Sequence, residues 1–173
     1  DWQDPSILVV MLIMGAMGGA LYGAIPGLLK TRFNANEILT SLMLVYVAAL
    51  FLDWLVRGPW RDPQGFNFPV TKTFAGWERL PTLGGTMHLG ALFALLACVA
   101  LAFVMGKTLV GFEIKVTGSA PRAGRFAGFS RNRMVMLCFL LSGALAGLAG
   151  ICEVASVVGK LQPQISPGYG FAA

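Results

Sequence analysis

The amino-acid sequence predicts an all-α protein, a polytopic transmembrane helical bundle with about four spanning helices. Three observations lead there. First, 56% of the 173 residues are hydrophobic and only 12% are charged, against about 25% charged in ordinary soluble domains; the mean hydropathy is +0.71. Second, four apolar segments approach or reach the roughly 17–25 residues that a helix needs to cross the hydrocarbon core. Third, the stretch "GAMGGALYGAIPG" places glycine at 15, 19, 23 and 27, a row along one face of a helix. In water each interior glycine costs about 0.5–1 kcal/mol against alanine. Between transmembrane helices the same row permits close backbone contact.

The expected spans are residues 7–29, 38–56, 89–105 and 134–158. The first carries the glycine ladder, with Pro26 in its expected last turn, where neighbours must satisfy the freed carbonyl. The second holds Asp53, one turn before Arg57, which predicts an i,i+4 ion pair at the interface. The third is short. The fourth repeats the small-residue device, with Gly143 and Gly147 on one row and Ser142, Ala146 and Gly150 on the next. The ladder is therefore expected to meet another helix rather than lipid, with Gly15, Gly19, Gly23, Gly27, Gly143, Gly147 and Gly150 as packing positions.

Three connections separate the spans. Residues 30–37 ("KTRFNANE") are tight and basic. Residues 57–88 are rich in proline, glycine and aromatics, with Trp60, Trp77, Phe66, Phe68 and Phe74, and are expected on the outer surface of the membrane or over the bundle. Trp54 and Trp60 suit an interfacial belt. Residues 106–133 carry six Lys/Arg and one Glu. The first and third connections share eight basic residues against five on the opposite side, so they are expected to be cytoplasmic. That distribution also accounts for the net charge of +5: the basic groups suit lipid headgroups, and no nucleic-acid-binding signature accompanies them. The expected location is the cell inner (plasma) membrane.

Little in the chain suggests catalysis. Cys98, Cys138 and Cys152 lie within apolar runs with no C-x-x-C spacing and are expected to be small buried hydrophobes, neither disulfide-bonded nor metal ligands. His88 stands alone. "GKT" (106–108) resembles the end of a phosphate-binding loop, but Leu101 occupies the place of the required first glycine. No nucleophile elbow or zinc motif is present, so no catalytic or metal-ligating residue is expected. Glu153 and Asp53 are the only acids in or near the apolar runs. Glu153 would either hydrogen-bond a polar ligand or sit at the interface as a snorkelling acid, the plainer reading. Thr40 and Ser41, with Asn36, Gln162 and Gln164, are further polar candidates for a path, although Asn36 also suits a helix cap before Glu37.

"GSAPRAGRFAGFSRNR" predicts a short amphipathic helix, with Ser119 as N-cap, Pro121 in the first turn and Gly128 as its end. Ala123, Phe126 and Ala127 would share a face, with Arg122 and Arg125 on others. Such a helix either enters a groove on a partner or rests its arginines on lipid headgroups.

"GALYGAIPGLLKTRFNANEILTSLMLVYVA" (19–48) resembles the helix-loop-helix of ABC-importer permeases for simple sugars and nucleosides (binding-protein-dependent transport type 2, branched-chain amino acid/ribose-like). "GFEIKVTGSAPRAGRFAGFSRNR" is similar to that family's main cytoplasmic loop, and "LSGALAGLAGICEV" and "ISPGYGF" also match. Ala120 stands where the family commonly has Asn, Gly124 where it has a second Ala, and Phe129 where it has Ile. "GPWRDPQGFNFP" is similar to the branch served by lipoprotein receptors for purine nucleosides.

The resemblance implies a coupling segment of Gly118, Ser119, Pro121, Arg122, Ala123, Gly124, Arg125, Ala127 and Gly128 that docks on a cytoplasmic ATPase subunit. It also implies a second permease subunit, an extracytoplasmic substrate-binding lipoprotein, and no cofactor of the chain's own, ATP being used by the partner. Family members run to about twice this length, so the chain is expected to be a piece of a longer membrane protein. The rival reading is a membrane-embedded lipid-modifying enzyme, which would need acids or histidines converging at one depth. A purely structural membrane subunit would give no reason for the 122–128 segment.

Overall fold

A computed structural model describes residues 6–62, 70–74, 82–84 and 87–162. Helix α1 (Ser6–Phe33) is followed by α2 (Glu37–Arg57), a short antiparallel ribbon of β1 (Thr82–Gly84) and β2 (Met87–His88), then α3 (Leu89–Lys107), α4 (Leu109–Ser119), α5 (Pro121–Phe126) and α6 (Arg131–Glu153). A π-helical turn, Val154–Val158, extends α6. Among the described residues, four helices are long and apolar enough to cross a membrane. Trp77, Phe66, Phe68, Gln164 and "ISPGYGF" lie outside the described residues.

The helices begin and end where local chemistry dictates. Asn34 takes a left-handed conformation (φ 50) after α1, one that asparagine tolerates better than most residues. Asn36 then caps α2, its side-chain oxygen accepting from the Ile38 N–H at 3.0 Å. Lys30 and Glu37 close the turn with a 2.6 Å ion pair. At the other end of α2, the Arg57 Nε donates to both Asp53 oxygens at 2.7 and 2.9 Å. Pro26 differs from expectation: it is buried inside α1, which continues to Phe33. The adjacent Gly27 packs against Phe139 and Met136 of α6, so tertiary packing outweighs the local breaking tendency of proline here.

The α1–α6 pair organises the bundle. The two helices run antiparallel, and their glycines meet in register. A methyl group on Gly19 would overlap the Gly143 carbonyl oxygen and stand 2.8 Å from the Gly147 α-carbon. One on Gly23 would stand 2.8 Å from the Phe139 carbonyl oxygen. One on Gly15 would collide with Ile151, and one on Gly27 would press on Phe139 at 3.1 Å and Met136 at 3.2 Å. The relation is reciprocal, since methyls on Gly143 and Gly147 would overlap the carbonyl oxygens of Gly19 and Gly15. Backbones this close gain dispersion contact and Cα–H···O interactions that larger residues would forbid. Gly150 departs from expectation: it faces open space, one helical row away from the seam. Tyr22 ties α2 to α1 by donating to the Leu44 carbonyl at 2.6 Å.

The deepest burial lies at the end away from the basic turns. Val56 in α2, Val154 and Ala155 in the π turn, and Thr71 are all buried. Residues 70–74 lace onto the chain after the π turn: Phe74 N–H donates to Gly159 O at 2.8 Å, Thr71 N–H to Leu161 O at 3.0 Å, and Leu161 N–H to the Thr71 hydroxyl at 2.9 Å. Cys98 and Cys138, expected to be buried, are exposed. Cys98 borders an interhelical cavity, and Cys152 is half-buried.

Candidate functional site

The 106–133 connection folds into two helices rather than the single one expected. The "GKT" stretch is a helix boundary. The Thr108 hydroxyl accepts from the Gly111 N–H at 3.2 Å, capping α4, and donates to the Val104 carbonyl at 2.6 Å. The chain turns so tightly here that a methyl group on Gly111 would meet the Val104 carbonyl and stand 2.6 Å from the Met105 α-carbon. Gly111→Ala should therefore cost about 1–3 kcal/mol, read as a lower unfolding temperature of the purified full-length protein.

Ser119 does not cap α5. It is the last residue of α4, with its hydroxyl donating to the Lys115 carbonyl at 2.8 Å, and Ala120 (φ −140) occupies the cap position. The extended backbone at Ala120 separates the helices, and Pro121 begins α5 at a position where its missing N–H costs nothing. Gly124 is helical and buried against α4, 3.6 Å (from an added methyl) to Thr117. That is ordinary contact distance, so Gly124→Ala is expected to be accepted and to raise helix stability by about 0.5–1 kcal/mol. α5 ends at Gly128, in the left-handed conformation (φ 81), with Phe129 N–H donating to Gly124 O at 2.9 Å and Gly128 N–H to Arg125 O at 3.0 Å, the paired bonds of a Schellman stop. The Phe112 and Phe129 rings, edge to face at 6.2 Å, lock α4 to the segment after α5.

α4 thus braces α5 from behind. The residues turned outward are Arg122, Ala123, Arg125, Phe126 and Ala127, and Phe126 is 94% exposed. Gly118 is also exposed, and a methyl group there would enter open space. The sequence pattern marked this segment but not its buttress: the apolar residues Val110, Phe112, Ile114 and Val116 alternate, the period of a strand rather than of the helix they form. A projecting phenylalanine with Arg122 and Arg125 nearby on a rigid mount suits a complementary protein groove.

A second feature lies between α1, α3 and α6. A cavity of about 760 Å³ is lined by Leu12, by a small-residue face of α3 (Gly90, Ala94, Ala97, Cys98) and by α6 residues including Cys152 and Glu153. Glu153 is half-buried at the last α-helical position, and Ser156, which also lines the cavity, spends its hydroxyl on the Cys152 carbonyl. The Glu153 carboxylate forms no ion pair among the described residues. Thr40 and Ser41 are not brought to this cavity. They lie at the opposite end of the bundle, near the start of α2, and the Thr40 hydroxyl donates to Asn36 O at 3.0 Å. The π turn beside Glu153 had no signal in the sequence. Such turns recur at functional sites. The acids and histidines required by a lipid-modifying enzyme do not converge: Asp53 is taken by Arg57, and no group of metal-binding side chains forms among the described residues.

Comparison with known proteins agrees with this architecture. The chain is 38% identical over 180 residues to a glucose ABC transporter permease protein of Haloferax volcanii, covering 97% of this chain and 47% of that protein. It is 33% identical over 156 residues to a guanosine ABC transporter permease protein of Bacillus subtilis, covering 84% of this chain and 43% of the relative. A nucleoside ABC transporter permease protein of Lactococcus lactis subsp. cremoris is 32% identical over 158 residues, with 85% and 43% coverage. The chain spans less than half the length of these relatives. No solved structure matches it. The family described as "branched-chain amino acid transport system / permease component" matches residues 2–173. With its apolar helices, glycine-packed pair and braced surface segment, the chain belongs to this family of multi-pass integral membrane permeases, which are not themselves enzymes.

Proposed function

We propose that this chain forms part of the permease subunit of an ATP-driven ABC importer for nucleosides or simple sugars. The observation that carries the reading is the outward face of α5, held by α4 and by the Schellman stop at Gly128, in a chain whose relatives are named as sugar and nucleoside permeases. The basic end bearing Lys30, Arg32, Lys107 and the α4–α5 segment faces the cytoplasm, as the distribution of basic residues favours. A separate ATPase subunit grips residues 118–128 and supplies all ATP chemistry, so the permease needs no cofactor. A second permease subunit completes the path, and a substrate-binding lipoprotein delivers cargo at the outer end.

Glu153 lies at the outer end of its cavity as a hydrogen-bond acceptor for hydroxyl groups of a sugar or ribose. A carboxylate at this depth is costly unless it serves a path or partner. Glu153→Gln keeps the shape and removes the charge. Loss of a hydrogen bond to a charged group should raise the apparent KM for uptake about tenfold or more, with the amount of protein unchanged. The defining experiment is uptake of labelled guanosine and glucose by cells carrying the full-length permease with its ATPase and receptor. ATP-dependent accumulation of one supports the reading, and accumulation of neither refutes the substrate class.

A further inference from the structure

At the basic end, a groove of about 460 Å³ opens between the last turns of α1 and the first turns of α6. Its floor is apolar, made by Leu28, Met136, Leu137 and Leu140, and its rim carries Arg32, Asn132 and Arg133. The charge here is unbalanced. Lys30 is neutralised by Glu37 at 2.6 Å, but neither Arg32 nor Arg133 forms an ion pair among the described residues. The start of α6 adds to the positive field. The Ser130 side chain makes no capping hydrogen bond, and no acid lies in the first turn, so the first N–H groups of a long helix point outward uncapped beside both arginines.

We infer that this groove binds one anionic phospholipid, its phosphate between Arg32 and Arg133 at the α6 N-terminus and an acyl chain along Leu28, Leu137 and Leu140. Three features on one surface fit that occupant. Two free guanidiniums match a phosphate through charge-assisted, often bidentate, hydrogen bonds. The helix N-terminus supplies further donors. The apolar strip continues from the charged rim towards the membrane interior, which a free anion would leave uncovered. Basic pockets between transmembrane helices at the cytoplasmic face are chemically suited to anionic headgroups. The cytoplasmic placing rests on the orientation proposed above; the groove itself does not. A protein helix covering the same surface would have to bury two unpaired guanidiniums, which is costly without carboxylates.

The test uses the full-length permease with its partner subunits in nanodiscs of mixed phosphatidylglycerol and phosphatidylethanolamine, followed by native mass spectrometry of the released complex. The wild-type protein should retain phosphatidylglycerol selectively. Arg32→Gln and Arg133→Gln should each weaken retention about fivefold, and the pair roughly 25-fold. Lys107→Gln, which removes a charge at the same end but outside the groove, should leave retention unchanged, and Arg32→Lys with Arg133→Lys should restore most of it. Equal retention of both lipids, unchanged retention in the single glutamine variants, or displacement of phosphatidylglycerol by inorganic phosphate would each overturn the assignment. No cargo enters this assay, so its failure and failure of the transport reading are separate results.

Discussion

Gly19→Leu is expected to remove the folded protein from the membrane. Gly19 sits at the centre of the α1–α6 seam, where even a methyl group would overlap the Gly143 carbonyl oxygen and crowd the Gly147 α-carbon at 2.8 Å. The obstacle is backbone, so no rotamer change relieves it. A leucine there must push the helices apart along their length, and the dispersion contacts that hold transmembrane helices together fall off steeply with separation. The expected cost exceeds the ~1–3 kcal/mol of ordinary overpacking, a large fraction of the ~5–15 kcal/mol that stabilises a typical domain. A finer comparison separates packing from generic glycine effects. Gly147→Ala meets the Gly15 carbonyl, whereas Gly150→Ala and Gly18→Ala enter open space. The first should lower the unfolding temperature of the full-length protein, and the other two should leave it equal or higher, because alanine is the better helix former. Equal effects at 147 and 150 would disprove the seam.

Replacing both Ala123 and Ala127 by aspartate is expected to abolish transport while leaving the protein in the membrane. Both side chains are exposed on the outward side of α5, on the face that also carries Phe126, so the change disturbs no internal contact. If α5 docks on an ATPase subunit as proposed, two carboxylates at this contact would have to be desolvated without partners. Transport and substrate-stimulated ATP hydrolysis should fall together by at least about tenfold, equivalent to a ~1.4 kcal/mol loss of docking. Phe126→Ala should act in the same direction through lost apolar contact, since aromatic anchors dominate such interfaces. Uptake at the wild-type rate in the double variant would show that α5 does not couple the subunits. Labelling of cysteines placed at Arg122 and Arg125 by a membrane-impermeant reagent applied from outside the cell would reverse the orientation.

Much of the architecture was legible in the residues. The apolar runs marked the four long helices, because crossing a bilayer demands an uninterrupted apolar length that few soluble elements share. Asn36, Pro121 and Gly128 were legible as a cap, a first-turn proline and a stop, since these roles depend on one residue's own backbone or side chain. The Asp53–Arg57 pair followed from helical spacing alone. Pro26 was misleading for the opposite reason. A proline's local tendency is to end a helix, but in α1 it is embedded against other helices and two further turns follow. Ser119 was misread as a cap because α4 was not foreseen: the alternation from Val110 to Val116 hides a helix whose apolar groups pack on more than one side.

The sequence by itself determined that this chain belongs in a membrane, that its basic residues are biased to one end, and that bare glycine rows seek another backbone. Each of these follows from composition or from spacing within a single helix. Only the tertiary structure decided that the rows on α1 and α6 interlock antiparallel, Gly19 against Gly143 and Gly147, with Gly150 turned away. It alone placed Glu153 beside a π turn in an interhelical cavity, and Arg32 beside Arg133 in a charged groove. The reason is physical: helical periodicity is written in neighbours along the chain, whereas the register between helices is chosen by steric fit between residues more than a hundred positions apart.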